Sequence, residues 1–319
     1  MKWAWLMVMI SSASAVGYGQ GQAAGPQPGG RQDSVATFRS NVDLVRVSAV
    51  VRNKKGRFVQ NLTARDFEVL EGEQRRTITD CQRDVAGVSI ALLFDVSGSM
   101  KAQLLNARQA GNHVLAWLDK DRDEAAIYTF DTQLLEVTSF VAGLQALPEQ
   151  LALLTPFGAT SLLDAVAQTA QRVGAREGRR RAVVVLTDGL DNASRLTASE
   201  VSGLASSIDV PVYVVGVVSA IDNPSAAVAL VPAAKSPLTG TLADLASWTG
   251  GRSFVASTSA DRSLAARQLV EELRHQYLIA FESSGQPGWH SLVVRARDKD
   301  LTVRARSGYI AGQSRPTSH

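Results

Sequence analysis

Cysteine is almost absent: Cys81 is the only one in 319 residues, so no internal disulfide and no Cys-rich zinc or redox centre can be built. Long apolar runs are missing too. The longest, Trp3 to Ile10, falls far short of the roughly 20 residues that a membrane-spanning helix needs. Neither sign of charge dominates, since 33 basic residues stand against 30 acidic ones, and a net charge of +3 excludes a chain that binds polyanions by bulk charge alone. Aromatics make up only 6% and do not interleave with the basic residues, so no nucleic-acid partner is expected. The four histidines, His113, His275, His290 and His319, have no paired spacing that would suit a metal or a base. There is also no Gly-x-Ser-x-Gly elbow and no Gly-x-x-x-x-Gly-Lys loop, which removes the commonest signatures of acyl and phosphoryl transfer. What is present, 45% hydrophobic and 20% charged, is ordinary for a folded chain with a real core.

The amino terminus follows its own rule. Lys2, the apolar run and then Ala13-Ser14-Ala15 have the layout of a secretory signal peptide, so residues 1–19 are expected to be removed on export to the periplasm or beyond. Residues 20–37, rich in Gly, Gln and Pro, read as a flexible leader, and 313–319 as a disordered tail. No later segment is apolar enough to span a bilayer, and Cys81 reads as a buried thiol.

Between these ends the hydrophobic period changes twice. Over 38–86 apolar and polar residues alternate: Asp43 to Arg52, the Asn53 to Gly56 turn and Arg57-Phe58-Val59 predict a hairpin, and Phe67 to Leu70 and Arg76 to Cys81 predict further strands. Over 87–275 fully apolar runs at Val88 to Phe94, Ala125 to Phe130, Ala182 to Thr187 and Val210 to Val217 alternate with helical stretches. These lie at Lys101 to Leu118, Leu162 to Arg176, Ala198 to Ile208, Leu242 to Thr249 and Asp261 to His275, the pattern of a doubly wound, mostly parallel α/β sheet. Ser219 to Gly240 reads as a loop. Over 276–312 strands return at Tyr277 to Phe281, Ser291 to Arg297 and Leu301 to Arg306. Neither β segment alone can shield its apolar face, so the expected architecture is a small β-sandwich shared by both ends, with the α/β domain inserted.

The candidate chemistry sits at strand ends. Val88 to Phe94 runs straight into Asp95-Val96-Ser97-Gly98-Ser99. A second strand ends in Thr187-Asp188-Gly189, and Gly158-Ala159-Thr160 precedes a helix. Ligands of open α/β sheets bind beyond the carboxyl ends of the strands, so three loops are predicted to converge on one rim. Two carboxylates among hydroxyls suit a hard divalent cation, Mg²⁺ or Mn²⁺, which takes oxygen ligands and keeps waters that a partner's carboxylate can displace. Asp131 and Asp191 read either as supports of that rim or as turn residues, and Asp164 as a partner of its own helix dipole.

Asp95-x-Ser97-x-Ser99, Thr160 and Thr187-Asp188-Gly189 together resemble the metal ion-dependent adhesion site of von Willebrand factor A domains. The resemblance implies that Ser97, Ser99 and Thr160 offer hydroxyls, and that Asp95 and Asp188 bind the ion directly or through water. Leu62-Thr63-x-x-Asp66-Phe67-x-Val69, Leu245-Ala246-x-x-Thr249-Gly250-Gly251 and Val303-Arg304-Ala305-Arg306-x-Gly308-Tyr309 are similar to an exported acidobacterial family of related domains. The expected function is a metal-dependent protein-binding or adhesion module whose partner presents an Asp or Glu; the sequence does not fix the oligomeric state, and no catalytic residue is expected. Two rivals stand beside it. A metal-assisted hydrolase or phosphatase would use the same ion to polarise phosphoryl oxygens. A polyanion-binding scaffold would use the cluster Arg176, Arg179, Arg180, Arg181 and a hairpin face carrying Arg295, Arg297, Arg304 and Arg306, although such a face is more often simply solvated.

Overall fold

The computed structural model of the chain describes residues 44–83, 85–218 and 241–311. The signal peptide, the leader, the Ser219 to Gly240 loop and the carboxyl-terminal tail expected from the sequence lie outside these. The first described strands are β1 (Leu44–Asn53), β2 (Phe67–Glu71), β3 (Gln74–Arg76) and β4 (Ile78–Arg83). The α/β portion follows as β5 (Val88–Asp95), α1 (Leu104–Ala116), β6 (Glu124–Phe130), β7 (Leu134–Ala142), the single turn α2 (Gln150–Leu153), α3 (Leu162–Gly174), β8 (Arg180–Thr187), α4 (Ala198–Ser207), β9 (Val212–Val217), α5 (Thr241–Trp248), β10 (Ser253–Ala256) and α6 (Ser259–Arg274). The chain closes with β11 (Gln276–Glu282), β12 (Gly288–Ala296), β13 (Leu301–Ala305) and β14 (Gly308–Ala311).

The central sheet runs β10-β9-β8-β5-β6-β7, parallel throughout except for β7, which lies antiparallel on the β6 edge. Every residue of β5 is buried, because helices cover both faces. Ile90, Leu92 and Phe94 meet α1 and α6 through Ala107, Val114 and Leu269, while Ala91 and Leu93 meet α3, α4 and α5 through Val166, Val201 and Leu245. Each such aliphatic side chain removed from water stabilises the fold by ~1.5–3 kcal/mol. The helices start where their capping chemistry allows. Thr258 Oγ1 accepts from Asp261 N at 3.1 Å while the Asp261 carboxylate accepts from Thr258 N at 2.9 Å, a reciprocal cap that begins α6, and Thr197 with Glu200 does the same for α4.

The two ends of the chain build one sandwich from sheets ordered β13-β1-β11-β4 and β14-β12-β2-β3, with Val47, Val51, Phe67, Ile279, Phe281 and Leu292 in the core between them. The α/β domain is therefore inserted in the sandwich. Charge joins the two portions. Glu272, near the end of α6 and wholly buried, takes Arg52 from β1 at 3.1 Å, Arg252 at 3.3 Å and Arg304 from β13. Asp209, between α4 and β9, accepts from Ser48 Oγ at 2.9 Å and lies 3.6 Å from Arg306 Nε.

Several expectations change. Arg57-Phe58-Val59 folds back on β1 but is shorter than a full strand. The turn exists, with Asn53 Oδ1 accepting from Lys55 N and Arg57 N at 3.0 Å, and Asn53 N donates to Arg57 O at 2.9 Å and Val59 N to Val51 O at 3.1 Å around an isolated antiparallel bridge between Arg52 and Phe58. The β11 ladder occupies that side of β1 from Leu44 to Val50, which leaves only its last three residues for this return. Strands β7, β10 and β14 were not expected as such. Arg295, Arg297, Arg304 and Arg306 do not share one face: β12 and β13 belong to different sheets, Arg295 and Arg297 pair with Glu68, and Arg304 and Arg306 turn inward. Cys81 is half-buried rather than buried, and desolvation pushes its thiol up to about 11, which keeps it protonated and inert.

Candidate metal centre

Strand register places the site. Because Phe94 stands opposite Leu186 in the β5–β8 ladder, Asp95 falls level with Thr187 at the same sheet edge. The Thr187 hydroxyl donates to Asp95 Oδ2 at 2.6 Å, and the Ser97 backbone N–H donates to Asp95 Oδ1 at 3.0 Å, so both carboxylate oxygens are held. Past this anchor the chain turns into a short 3-10 segment, Gly98–Ala102, which sets the hydroxyls of Ser97 and Ser99 at 3.1 Å from each other. Two neighbouring hydroxyls and a fixed carboxylate thus come from five residues.

The loop before α3 is tied to both neighbours. Gly98 N donates to Gly158 O at 3.0 Å and Phe157 N donates to Val96 O at 3.0 Å, which clips it to the Asp95 loop. Gly158 has φ +86°, a conformation that a side chain would strain, and Gly98 approaches so closely that a Cβ there would lie 3.3 Å from Gly158 O. Asn192 clamps the other side: Thr160 N donates to Asn192 Oδ1 at 2.8 Å, while Thr160 O accepts from Asn192 N at 3.1 Å. Asp188 follows β8 directly, half-exposed, with Oδ1 accepting from Leu190 N at 3.2 Å. Ser97 therefore touches both Asp95 and Ser99, and Thr160 and Asp188 sit on the two loops bonded to this segment.

Electrostatics fit a cation. Burial raises the Asp95 carboxyl above the usual carboxylate range, and the negative charge of Asp188 adds to that, against the lowering effect of the hydrogen bonds from Ser97 and Thr187. Two carboxylates that repel one another among hydroxyl oxygens form a donor set suited to one hard divalent ion. Among the described residues no group of three or more His, Cys, Asp or Glu side chains comes together, so the hydroxyls are essential to this set.

The remaining acidic residues organise the loops. Asp131 Oδ1 accepts from Gln133 N at 2.8 Å and Asp191 Oδ1 from Ser194 N at 3.2 Å, both as turn residues. Asp164 does more than face its helix dipole: its carboxylate accepts from Arg195 N and Leu196 N, binding the loop after Asp188 to α3. The sequence reading omitted Thr187 and Asn192 as working parts of the site. Thr187 stood next to a chosen ligand, but its role depends on the β5–β8 register; Asn192 carried no signal beyond its place in a turn.

Comparison with known proteins agrees with this geometry. A family model described as von Willebrand factor type A domain matches residues 90–190, which include Asp95, Ser97, Ser99, Thr160 and Asp188. No curated protein matches the chain. Similar solved structures include an aerotolerance-related membrane protein from Bacteroides fragilis, 19% identical, covering 59% of this chain and 98% of its own, with a TM-score of 0.45. Proximal thread matrix protein 1 from the mussel byssus, solved with a zinc-occupied MIDAS motif, is 21% identical over 64% of this chain and 50% of its own, at a TM-score of 0.46. A von Willebrand factor type A protein from Catenulispora acidiphila is 12% identical and covers 87% of this chain and 76% of its own, at 0.48. Residues 90–190 thus match a von Willebrand factor type A domain, and the mostly parallel sheet and the strand-end loops built from them agree with that match.

Proposed function

We propose that the chain is an exported, metal-dependent binding module in which Asp95, Ser97, Ser99, Thr160 and Asp188 hold one Mg²⁺ or Mn²⁺ and a protein partner supplies an Asp or Glu to the ion. The observation that carries this reading is the fixed Asp95 carboxylate beside the Ser97–Ser99 hydroxyl pair, with a second carboxylate on the adjoining loop. A bound cation would act here as a Lewis acid toward an incoming carboxylate. The protein's own contribution is to keep the loops preformed, so that partner binding does not have to order them. Export is supported by the amino-terminal layout, and among the described residues no helix is long and apolar enough to cross a membrane.

A binding role is favoured over hydrolysis because, among the described residues, no histidine is hydrogen-bonded to the loops that carry Asp95, Thr160 and Asp188, so no general base stands beside them. Calorimetric titration of Mg²⁺ and Mn²⁺ into the wild type, Ser99→Ala and Asp188→Ala tests the site. Affinity should fall by at least the roughly 10- to 100-fold that losing even a supporting group costs. Unchanged affinity in both variants would refute the assignment, and turnover of phosphate esters that disappears in Asp188→Ala would replace binding with catalysis.

A further inference from the structure

At the end of β8 remote from Thr187, the sandwich and the α/β portion enclose a cleft of about 1020 Å³. Its walls gather Arg179, Arg180 and Arg181 from the start of β8, Arg306 from beyond β13 and Arg46 from β1, and among the described residues the acidic groups on these walls are Glu177 and Asp209. The two arginine clusters visible in the sequence thus break up, and three members of the first meet one of the second here. Arg176 instead pairs with Glu124 at 2.7 Å, toward which Arg179 Nε also lies at 3.8 Å, and Arg295 and Arg297 pair with Glu68.

This cleft is short of negative charge. Asp209 is already engaged by Ser48 and Arg306, while the Arg46 side chain makes no hydrogen bond or ion pair among the described residues. Arg179 and Arg181 each direct Nη1 to a backbone carbonyl, of Arg122 and Gly174. Arg306 is nearly buried: its Nη1 and Nη2 donate to the carbonyls of Ser206 and Arg46, and its Nε has no hydrogen-bond acceptor among the described residues. Burial lowers the proton affinity of its guanidinium, and the neighbouring charge of Arg181 lowers it further. Ile208, Leu278 and Ile310 supply apolar wall, which strengthens any charge interaction formed against it. Guanidinium groups present paired, planar N–H donors that match phosphate oxygens.

We propose that this cleft is a second binding site, independent of the metal rim, for a compact phosphate-bearing anion. The phosphate can come from a soluble diphosphate or from a lipid headgroup. The full chain would be titrated with pyrophosphate by calorimetry and co-sedimented with phosphatidylglycerol vesicles, both in the presence of chelator. Wild type is compared with Arg46→Gln/Arg179→Gln, with the charge-conserving Arg46→Lys/Arg179→Lys, and with Arg295→Gln/Arg297→Gln, whose side chains face Glu68. Saturable binding should persist in chelator, weaken about tenfold or more in the first variant, recover in part with lysine and stay unchanged in the last. Binding to either anion in this pattern supports the proposal and names the source. Absence of saturable binding to both, loss of binding on chelation, or equal loss in the two glutamine variants would each overturn it.

Discussion

The Thr187 hydroxyl decides whether Asp95 is fixed. Its donation at 2.6 Å occupies one oxygen of a fully buried carboxylate that Ser97 also bonds. Thr187→Val keeps the shape and removes the donor, so the buried acceptor keeps its desolvation cost with less compensation. The variant should be less stable by ~1–3 kcal/mol in urea denaturation and should bind Mg²⁺ more weakly. Equal stability and affinity would show that Asp95 is held by other contacts. The grouping of the candidate residues was legible because it is written in local spacing: Asp95-x-Ser97-x-Ser99 needs only a strand that runs through Phe94 to bring the three together. Thr187 was not legible as an anchor, since its partner lies across a ladder whose register no local pattern states. Asn192 was hidden for the same reason.

Elements meet at Glu272, where α6 touches both the sheet and the sandwich. Burial alone would push this carboxyl up, but Arg304, Arg252 and Arg52 outweigh it and hold the group below its usual range. A depressed acid contributes stability that is present above its unfolded value, about 4.3, and is lost as pH falls through the folded value. Glu272→Gln removes that charge and leaves three guanidinium groups uncompensated. It should cost ~3–5 kcal/mol at neutral pH, with a smaller deficit near pH 3, both measured by chemical denaturation across pH. A deficit independent of pH would mean that packing rather than charge is lost. Long elements such as β5 and β8 could be read from the sequence because burial on both faces leaves an unbroken apolar run. The edge strand β7 could not, since most of its residues are at least half-exposed, and β10 and β14 are only four residues each. The expected hairpin at Arg57 to Val59 is shortened to a single bridge because β11, distant in sequence, claims that side of β1 from Leu44 to Val50.

In the whole molecule, the sandwich depends on both ends of the chain. β1 has no neighbour from its own segment in its sheet except through β11, which bridges it to β4. A chain ending at Arg274 would expose both ladders of β1 and one side of β2, and it should be recovered insoluble or without a cooperative thermal transition. A soluble, cooperatively unfolding product would show that the inserted domain stands alone. The shared sandwich was legible from incompleteness, as each β segment has too few strands to close by itself. The basic cleft was not, because it exists only once Arg46, Arg181 and Arg306 are brought together from three distant stretches.

Leu44 and Ala311, the first and last described residues, both line that cleft, whereas Asp95 and Asp188 stand past the far ends of strands some 23 Å long. A surface that meets the molecule on the side of Leu44 and Ala311 would therefore leave the Asp95 and Asp188 loops facing away from it and would crowd the arginines.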